Sequence, residues 1–247
     1  MSRPSSFLNL ERIAMACSSM LTSTDLLMTD AGLLRLLQLS SAVLPVGAYA
    51  FSQGLEYAIG AGWLQTPEDI ARWLEDQLRL ALARVDIPIL YRIFDMSGGG
   101  HSAALDYWNA CLLACRETRE LRLGDTATGL ALRRLLRQLD VPVPALKGEP
   151  AFATLFAVAA RHWGIGRQAA ALGLVWSWLE NQVAAATKLL PLGQTQAQGL
   201  LSRVQQQIPA ALTLADALQD HELGASLPGL ALASCQHETQ YTRLFRS

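Results

Sequence analysis

Few residues of this chain have the types and spacing that metal chemistry requires. Near the C-terminus, His237 and Glu238 begin a pattern that matches the zinc-protease motif H-E-x-x-H except at its last position, where Tyr241 replaces the second metal ligand. Cys111 and Cys115 are four residues apart, so on a helix they would share one face and could hold a soft metal. Free cysteine more often packs as a small hydrophobic residue. With only four histidines in the chain, the sequence predicts no metal site formed by this chain alone.

Motifs for nucleotide binding and acyl transfer are also missing from the sequence. A phosphate-binding loop of the form G-x-x-x-x-G-K-[ST] does not occur, and neither does the nucleophile motif G-x-S-x-G. Residues 164–169 superficially match a dinucleotide fingerprint, but that motif must follow a strand, and here a helix is expected before it. We therefore expect no catalytic residue and no cofactor bound by the chain alone.

The composition indicates a helical protein with more apolar surface than one core would hide. The 247 residues include 20 Lys and Arg against 21 Asp and Glu, so the net charge is -1 and the basic excess of a nucleic-acid-binding domain is missing. Only 17% of the residues are charged and 51% are hydrophobic, against about 25% charged in an average domain. Such a surplus favours contacts between subunits.

Membrane insertion and secretion are not indicated by the sequence. The most apolar stretch, residues 169–179, is much shorter than the roughly 20 residues of a transmembrane helix. The N-terminus lacks the long apolar run of a secretory signal. Four scattered cysteines are too few for a disulfide framework in a chain of this length. We predict a cytoplasmic protein without membrane contact, whose residues 1–29 form a disordered N-terminal extension.

Helical periodicity extends through almost all of residues 30–247, and no alternating run is long enough for a strand. Thr66 and Pro67, followed by two acidic residues, form a helix start signal. Residues 140–150, with three prolines and a glycine, are the clearest loop. The sequence predicts one all-α, bundle-like domain of about ten helices. The predicted helical segments are 30–42, 51–61, 67–85, 86–96, 102–123, 125–139, 152–163, 167–189, 195–207, 209–221 and 229–247.

The last eleven residues are rich in side chains that are typical of protein interfaces. On a continuous helix, one stripe would consist of His237, Tyr241, Leu244 and Phe245. Arg243 and Arg246 would form a basic group beside this stripe. Aromatic anchors next to arginine are enriched in interface cores. A last helix that packs on its own core would show the same pattern. The residue types alone favour the core interpretation and leave the partner interpretation open.

Charged residues elsewhere also allow two interpretations. The stretch that contains Arg116, Glu117 and Arg119 is either a solvated helix face with ion pairs or a contact surface. Lys188 follows a long apolar segment, so it either interacts with the dipole at the helix end or offers its charge to a partner.

Four blocks of the sequence resemble, in the same order, parts of the UreF family of urease accessory proteins. They are residues 40–56 (SSAVLPVGAYAFSQGLE), 115–122 (CRETRELR), 178–194 (WLENQVAAATKLLPLGQ) and 237–247 (HETQYTRLFRS). The resemblance spans about residues 33–247. It departs from the family pattern at Ala48, where the family usually has the second of two glycines after the proline.

The resemblance implies a helical, non-catalytic scaffold for nickel insertion into apo-urease. In that family the protein forms a homodimer, binds a UreD/UreH-type accessory protein and recruits the GTPase UreG, whose GTP hydrolysis it regulates. Nickel is there handled by the assembled complex. By matching position, the resemblance implies partner-facing roles for Tyr49, Ser52, Glu56, Arg116, Glu117, Arg119, Lys188, Gln194, His237, Glu238, Tyr241, Arg243, Phe245 and Arg246. Gly54, Leu55 and Leu244 are expected to be mainly structural.

Two alternatives to this function remain open at the level of sequence. One is a helical enzyme with an apolar ligand pocket, and the other is a helical adaptor unrelated to urease. The enzyme would need polar or metal-binding groups that converge in its pocket, and the sequence alone identifies none.

Overall fold

The computed structural model describes residues 28–96 and 102–246, and every regular element within them is helical. The predicted all-α class is therefore confirmed for this part of the chain. The predicted N-terminal extension, except for its last two residues, lies outside the described residues, as does the predicted helix break at residues 98–100. Within the described ranges, no helix combines the length and the apolar character that crossing a bilayer requires.

The helices differ widely in length, and α8, with 23 residues, is the longest among those described. In chain order the elements are α1 (Asp30–Leu39), a 3₁₀ turn (Ala48–Ala50), α2 (Leu55–Gly60), α3 (Pro67–Asp76), a π-helical segment (Gln77–Asp86), α4 (Ile87–Met96), α5 (Ser102–Ala114), α6 (Arg119–Gln138), α7 (Phe152–His162), α8 (Arg167–Leu189), α9 (Gln194–Gln205), α10 (Ile208–Ala217), a second 3₁₀ turn (Asp220–Glu222) and α11 (Pro228–Glu238). The predicted bounds of α7, α8 and α9 are confirmed to within two residues. The predicted loop over residues 140–150 is also confirmed.

The start of α3 follows the predicted signal. The hydroxyl of Thr66 accepts the backbone N–H of Asp69 at 3.1 Å, and the Asp69 carboxylate accepts the Thr66 N–H at 2.9 Å. This reciprocal arrangement is a capping box, with Pro67 in the first turn. The local sequence therefore determines where this helix begins.

The predicted helix break at Gly124 and Asp125 is wrong. The chain leaves its helix earlier, before Thr118, whose hydroxyl then caps the start of α6. Helix α6 continues through both residues because the carboxylate of Asp125 binds Arg116 at 2.8 Å instead of competing for the neighbouring backbone.

Other helix boundaries also differ from the prediction. The π-helical segment leads directly into α4, so the predicted restart at residue 86 does not interrupt the helix. Pro88 lies in the first turn of α4, where the missing N–H of proline is tolerated. The helix predicted over residues 51–61 is shortened to α2 because Gln53 and Gly54 have φ angles of 53° and 81°, which a right-handed helix excludes. Helices α1 and α10 end three and four residues earlier than predicted.

Helix α8 lies at the centre of the domain. It packs against α1, α2, α4, α7, α9 and α10, and the neighbouring α4 buries Ile87, Leu90 and Ile93 completely. Helix α1 crosses α8 so closely that a Cβ atom on Gly173 would lie 2.5 Å from side-chain atoms of α1. The last turn of α8 carries Lys188, whose Nζ lies 5.6 Å from the centre of the Phe245 ring, so this helix end lies near the C-terminal residues.

Candidate partner-binding surface

The C-terminal segment, defined here as residues 239–246, does not continue the last helix. Helix α11 ends at Glu238, and the next two backbone N–H groups bond to carbonyls only three residues back, which tightens and ends the helix. The predicted helix to the end of the chain is therefore wrong. Tyr241 is fully exposed whereas His237 is buried, so the two do not share the predicted stripe.

His237 lies at the centre of a buried charge cluster. Its Nδ1 is 2.9 Å from an oxygen of Glu120 on α6, and its Nε2 is 3.0 Å from an oxygen of Glu56 on α2. All three side chains are almost completely buried. Arg243 of the C-terminal segment donates to the other oxygen of Glu120 at 3.0 Å. The cluster therefore connects α2, α6 and α11 to the end of the chain.

Glu56 also fixes the backbone of the C-terminal segment. Its two oxygens accept the N–H of Leu244 at 2.7 Å and the N–H of Phe245 at 2.9 Å. Arg246 donates its N–H to the carbonyl oxygen of Ala50 at 2.7 Å. The ring of Phe245 is buried. These contacts dock the segment onto the chain between the first 3₁₀ turn and α2.

Exposed side chains around the docked segment form a surface that we call the C-terminal patch. Lys188, in the last turn of α8, places its Nζ 5.6 Å from the centre of the Phe245 ring. Tyr49 precedes Ala50, whose carbonyl oxygen accepts the Arg246 N–H. The side chain of Tyr49 is exposed. The patch comprises Tyr49, Lys188, Arg243, Leu244 and Arg246. The patch contains three cations, an exposed aromatic side chain and an exposed leucine, a combination that suits an acidic protein surface.

Comparison with known proteins assigns the chain to a family. A family model for UreF matches residues 64–205. The chain is 52% identical over 226 residues to the urease accessory protein UreF of Marinomonas sp. strain MWYL1, which covers 91% of this chain and 98% of the relative. It is 50% identical over 219 residues to UreF of Alkalilimnicola ehrlichii, which covers 86% of this chain and 95% of the relative. The chain belongs to the UreF family.

The partner-facing residues predicted for this UreF-family chain fall into three groups. The exposed ones are Tyr49, Glu117, Arg119, Lys188, Gln194, Tyr241, Arg243 and Arg246. Arg116 and Glu238 are half-buried, while the buried ones are Ser52, Glu56, His237 and Phe245. The buried side chains support the patch from inside and do not form its surface. Partner binding by any of these residues stays a prediction.

The structure brings only some of the exposed residues together. Lys188 and the C-terminal segment meet at the ring of Phe245. Arg119 lies beside this region, because it pairs with Glu238 at 3.3 Å. Gln194 is at the start of α9, and within the described residues no recorded contact connects it to the C-terminal segment. The patch is therefore formed by the first, third and fourth blocks of the UreF resemblance.

Arg116 belongs to an internal ion network and not to the solvated face that its charged neighbours suggested. It donates to the carboxylate of Asp86 at 2.5 and 3.1 Å and to Asp125 at 2.8 Å. Burial alone would lower the pKa of Arg116, but the two carboxylates outweigh it and hold this pKa above its ordinary value. The adjacent Glu117 accepts the hydroxyl of Ser226 at 2.8 Å. Both residues therefore fix connections within the UreF-family domain.

A cavity of about 160 Å³ lies between the first block and α8. Sequence reasoning missed three polar residues on its wall, although all three lie in blocks that resemble the family: Gln53, Trp178 and Gln182. Trp178 and Gln182 donate to the same oxygen of Gln53, at 3.0 and 3.3 Å. The wall also includes Arg116 with its two aspartates, so polar groups do converge there. These charged groups are paired with one another, whereas acid–base catalysis needs a group that is available to a substrate.

Proposed function

We propose that this UreF-family chain is a non-catalytic helical scaffold in nickel insertion into apo-urease. It bridges a UreD/UreH-type accessory protein and the GTPase UreG, and it regulates GTP hydrolysis by UreG. The observation that carries this proposal is the C-terminal patch, in which the first block, Lys188 and the C-terminal segment come together at the surface. The connection to urease is supported by the relatives, which are urease accessory proteins.

The chemistry of the patch supports a role in binding an acidic protein surface. Arginine presents planar, paired donors to carboxylates, and it is enriched among the residues that dominate interface energetics. The exposed side chains of Tyr49 and Leu244 would lose their contact with water on association. Because Glu56 and Phe245 already hold the segment in place, binding has to order few additional residues, which favours affinity.

We also propose that the protein forms a homodimer. Helix α1 exposes Leu33, Leu34 and Leu37, and the exposed Val43 follows it. Clustered apolar side chains of this size are characteristic of association surfaces. Sedimentation equilibrium over a range of protein concentrations tests the proposal, and a monomer at every concentration would contradict it.

Nickel is, in this proposal, handled by the assembled complex, and the chain alone binds no cofactor. Within the described residues, no three His, Cys, Asp or Glu side chains group as ligands of a metal ion. Calorimetric titration of the tag-free protein with Ni²⁺ and with GTP tests the proposal directly. Submicromolar binding of either would contradict it. A cytoplasmic location remains part of the same proposal.

Reconstitution with purified partners tests the scaffold role. Urease activity is measured after incubation of apo-urease with the accessory protein, the GTPase, GTP and Ni²⁺, with the full chain, without it, or with a variant that lacks residues 239–247. We expect activation with the full chain only, because the truncation removes three of the five residues of the patch. Thermal melting of the truncated variant confirms that the remaining domain is folded.

A distant surface substitution is the matched control for this experiment. Arg134 is exposed on α6, about 22 Å along the helix from Arg119. The Arg134→Ala variant should activate urease as well as the unchanged chain. Equal activation with and without the chain would contradict the scaffold role and favour an adaptor unrelated to urease.

A further inference from the structure

Gln53 adopts a backbone conformation that suits glycine better than glutamine. Its φ angle is 53°, in the left-handed region, and the φ angle of the next residue, Gly54, is 81°. A residue with a side chain rarely adopts this region, and it stays there only where its surroundings hold it. Glycine would fit at lower cost, so the contacts of the glutamine side chain are what distinguishes this position.

The side-chain amide of Gln53 binds two residues of α8. Its oxygen accepts the indole N–H of Trp178 at 3.0 Å and an Nε2–H of Gln182 at 3.3 Å. Trp178 and Gln182 are four residues apart, so they lie on one face of α8. Two donors from one rigid helix therefore fix the position of a single acceptor.

This contact lies where the packing between the first block and α8 is incomplete. Ala48, Phe51 and Gln53 border the cavity of about 160 Å³, and so do two residues of α8, Trp178 and Gln182. Side chains that border a cavity lack packing contacts on that side. Within the described residues, no other hydrogen bond connects residues 48–54 to α8. The glutamine is therefore the hydrogen-bonded connection between the two.

Residues 48–54, which we call the docking turn, carry one of the contacts that hold the end of the chain. The carbonyl oxygen of Ala50 accepts the N–H of Arg246 at 2.7 Å. The other backbone contacts go to Glu56, which lies in α2 and also binds His237 of α11. Glu56 thus has an anchor outside α8, whereas the docking turn is connected to α8 through its glutamine. The position of Ala50, and with it that of Arg246, depends on this connection.

We propose that Gln53 is the positioning residue of the C-terminal patch. Its amide oxygen holds the docking turn against α8, which carries Lys188, and so fixes where the C-terminal segment docks relative to that helix. The segment is then presented to a partner in one arrangement, which lowers the conformational entropy that binding has to remove. Gln53 itself is half-buried and needs no contact with the partner. The proposal rests on the proposed function only where it concerns partner binding.

Two NMR signals of the full chain report the position of the segment. One is the nuclear Overhauser contact between the side chain of Lys188 and the ring of Phe245, which are neighbours in the structure. The other is the amide resonance of Arg246, whose N–H binds Ala50. Gln53→Met keeps the length of the side chain but removes the amide oxygen, so we expect the contact to weaken and the amide resonance to move towards that of an unbonded N–H. If both signals stay unchanged in Gln53→Met, the proposal is overturned.

Rescue by a conservative exchange separates positioning from general packing. Gln53→Glu keeps an oxygen at the same distance from the backbone, and a carboxylate accepts both donors, so both signals should match those of the unchanged chain. Gln53→Met and Gln53→Glu share the cost of the left-handed backbone, so that cost does not distinguish them. Resonances of α4 should stay in place in both variants. Equal changes in the two variants, or changes that extend through α4, would assign Gln53 to general packing and overturn the proposal.

The indole of Trp178 provides an independent test, because Trp178→Phe removes the other end of the same hydrogen bond. If Gln53 acts through this indole, the double variant Gln53→Met/Trp178→Phe should change the two signals little more than Gln53→Met does. The matched control is Trp176→Phe. Trp176 is also half-buried on α8, but two residues away it faces a different side of the helix, so this variant should keep both signals. Additive changes in the double variant, or an equal effect of Trp176→Phe, would overturn the connection.

Partner affinity is measured separately, so that the two proposals fail in different ways. Where the unchanged chain binds the accessory protein or the GTPase, Gln53→Met should bind about tenfold more weakly, because binding must then order the segment. Gln53→Glu should bind like the unchanged chain. An affinity that stays constant in Gln53→Met while the NMR signals change would overturn the effect on recognition. Absence of binding by the unchanged chain contradicts the proposed function, and the NMR signals then decide the positioning role by themselves.

Discussion

The carboxylate of Glu56 accepts the backbone N–H of Leu244 at 2.7 Å, although 188 residues separate the two along the chain. Chain ends usually fray because nothing fixes their backbone. Here the same carboxylate also binds Phe245 and His237, so the first block of the sequence and its last residues form one structural unit. The backbone that carries Arg243 and Arg246 is therefore held in place next to α2 and the first 3₁₀ turn.

Two neighbouring arginines should differ strongly in their contribution to stability. Arg116→Ala leaves the carboxylates of Asp86 and Asp125 without their partner in a largely buried site, and removing one member of a buried ion pair costs about 3–5 kcal/mol. Arg119→Ala removes an exposed pair with Glu238, which contributes little. Urea denaturation of both variants measures the two effects. Equal midpoints would contradict the internal role of Arg116.

The helices of this fold could be predicted wherever local signals determine their ends. Helix α8 has the predicted bounds, and α3 begins at its capping box. The break between α5 and α6 was misplaced because Asp125 is engaged by Arg116, a contact that local sequence does not reveal. The late start of α2 depends on the left-handed backbone of Gln53, an uncommon state for a residue other than glycine.

The candidate surface could be predicted only in part, since its contacts span most of the chain. Residue types and family resemblance indicated the C-terminal segment and Lys188. The resemblance implied a partner-facing role for His237, whereas the residue types favoured the core. Neither indicated its partners Glu120 and Glu56, which are 117 and 181 residues away. Helical periodicity placed Tyr241 on the stripe of His237, and the end of α11 at Glu238 separates them. A pattern of period 3.6 applies only as long as the helix continues.

The cysteines should differ in reactivity according to their burial. Burial raises the pKa of the Cys115 thiol, so less of the reactive thiolate is present at neutral pH, whereas Cys235 is exposed. In a Cys17→Ser background, we expect Cys235 to react with a disulfide reagent at pH 7.5 at least about ten times faster than Cys115. Mass spectrometry of labelled peptides over time measures both rates. Comparable rates would contradict the burial of Cys115.

Lys188→Glu should weaken recruitment of the partner proteins while the domain stays folded. The side chain is exposed, and its contact with the Phe245 ring is worth about 0.5–1 kcal/mol at such a site, so the melting temperature should fall only slightly. Opposing an acidic partner with a new negative charge costs several times more. The control is Lys147→Glu. Lys147 is the other lysine of the chain, and it lies in the loop over residues 140–150. Equal pull-down by the two variants would exclude Lys188 from the binding surface.

Arg246→Ala should reduce partner affinity without releasing the C-terminal segment. The segment is held through the backbone N–H of Arg246 and through Phe245, so loss of the side chain leaves these contacts in place. Truncation of an arginine at the centre of an interface costs 2 kcal/mol or more, roughly a thirtyfold loss of affinity. Surface plasmon resonance with immobilised partner measures the loss, and hydrogen exchange of the Phe245 amide shows whether the segment stays docked.

Arg246→Lys and Arg134→Ala decide what kind of contact Arg246 makes. Lysine keeps the charge but lacks the planar pair of donors, so Arg246→Lys should recover only part of the affinity if the guanidinium binds a carboxylate through two hydrogen bonds. Arg134→Ala removes an exposed arginine far from the patch and should bind like the unchanged chain. Full recovery by lysine would indicate that only charge matters at this position. Unchanged affinity in Arg246→Ala would mean that the segment completes the core of the domain and that its arginine is not a contact residue.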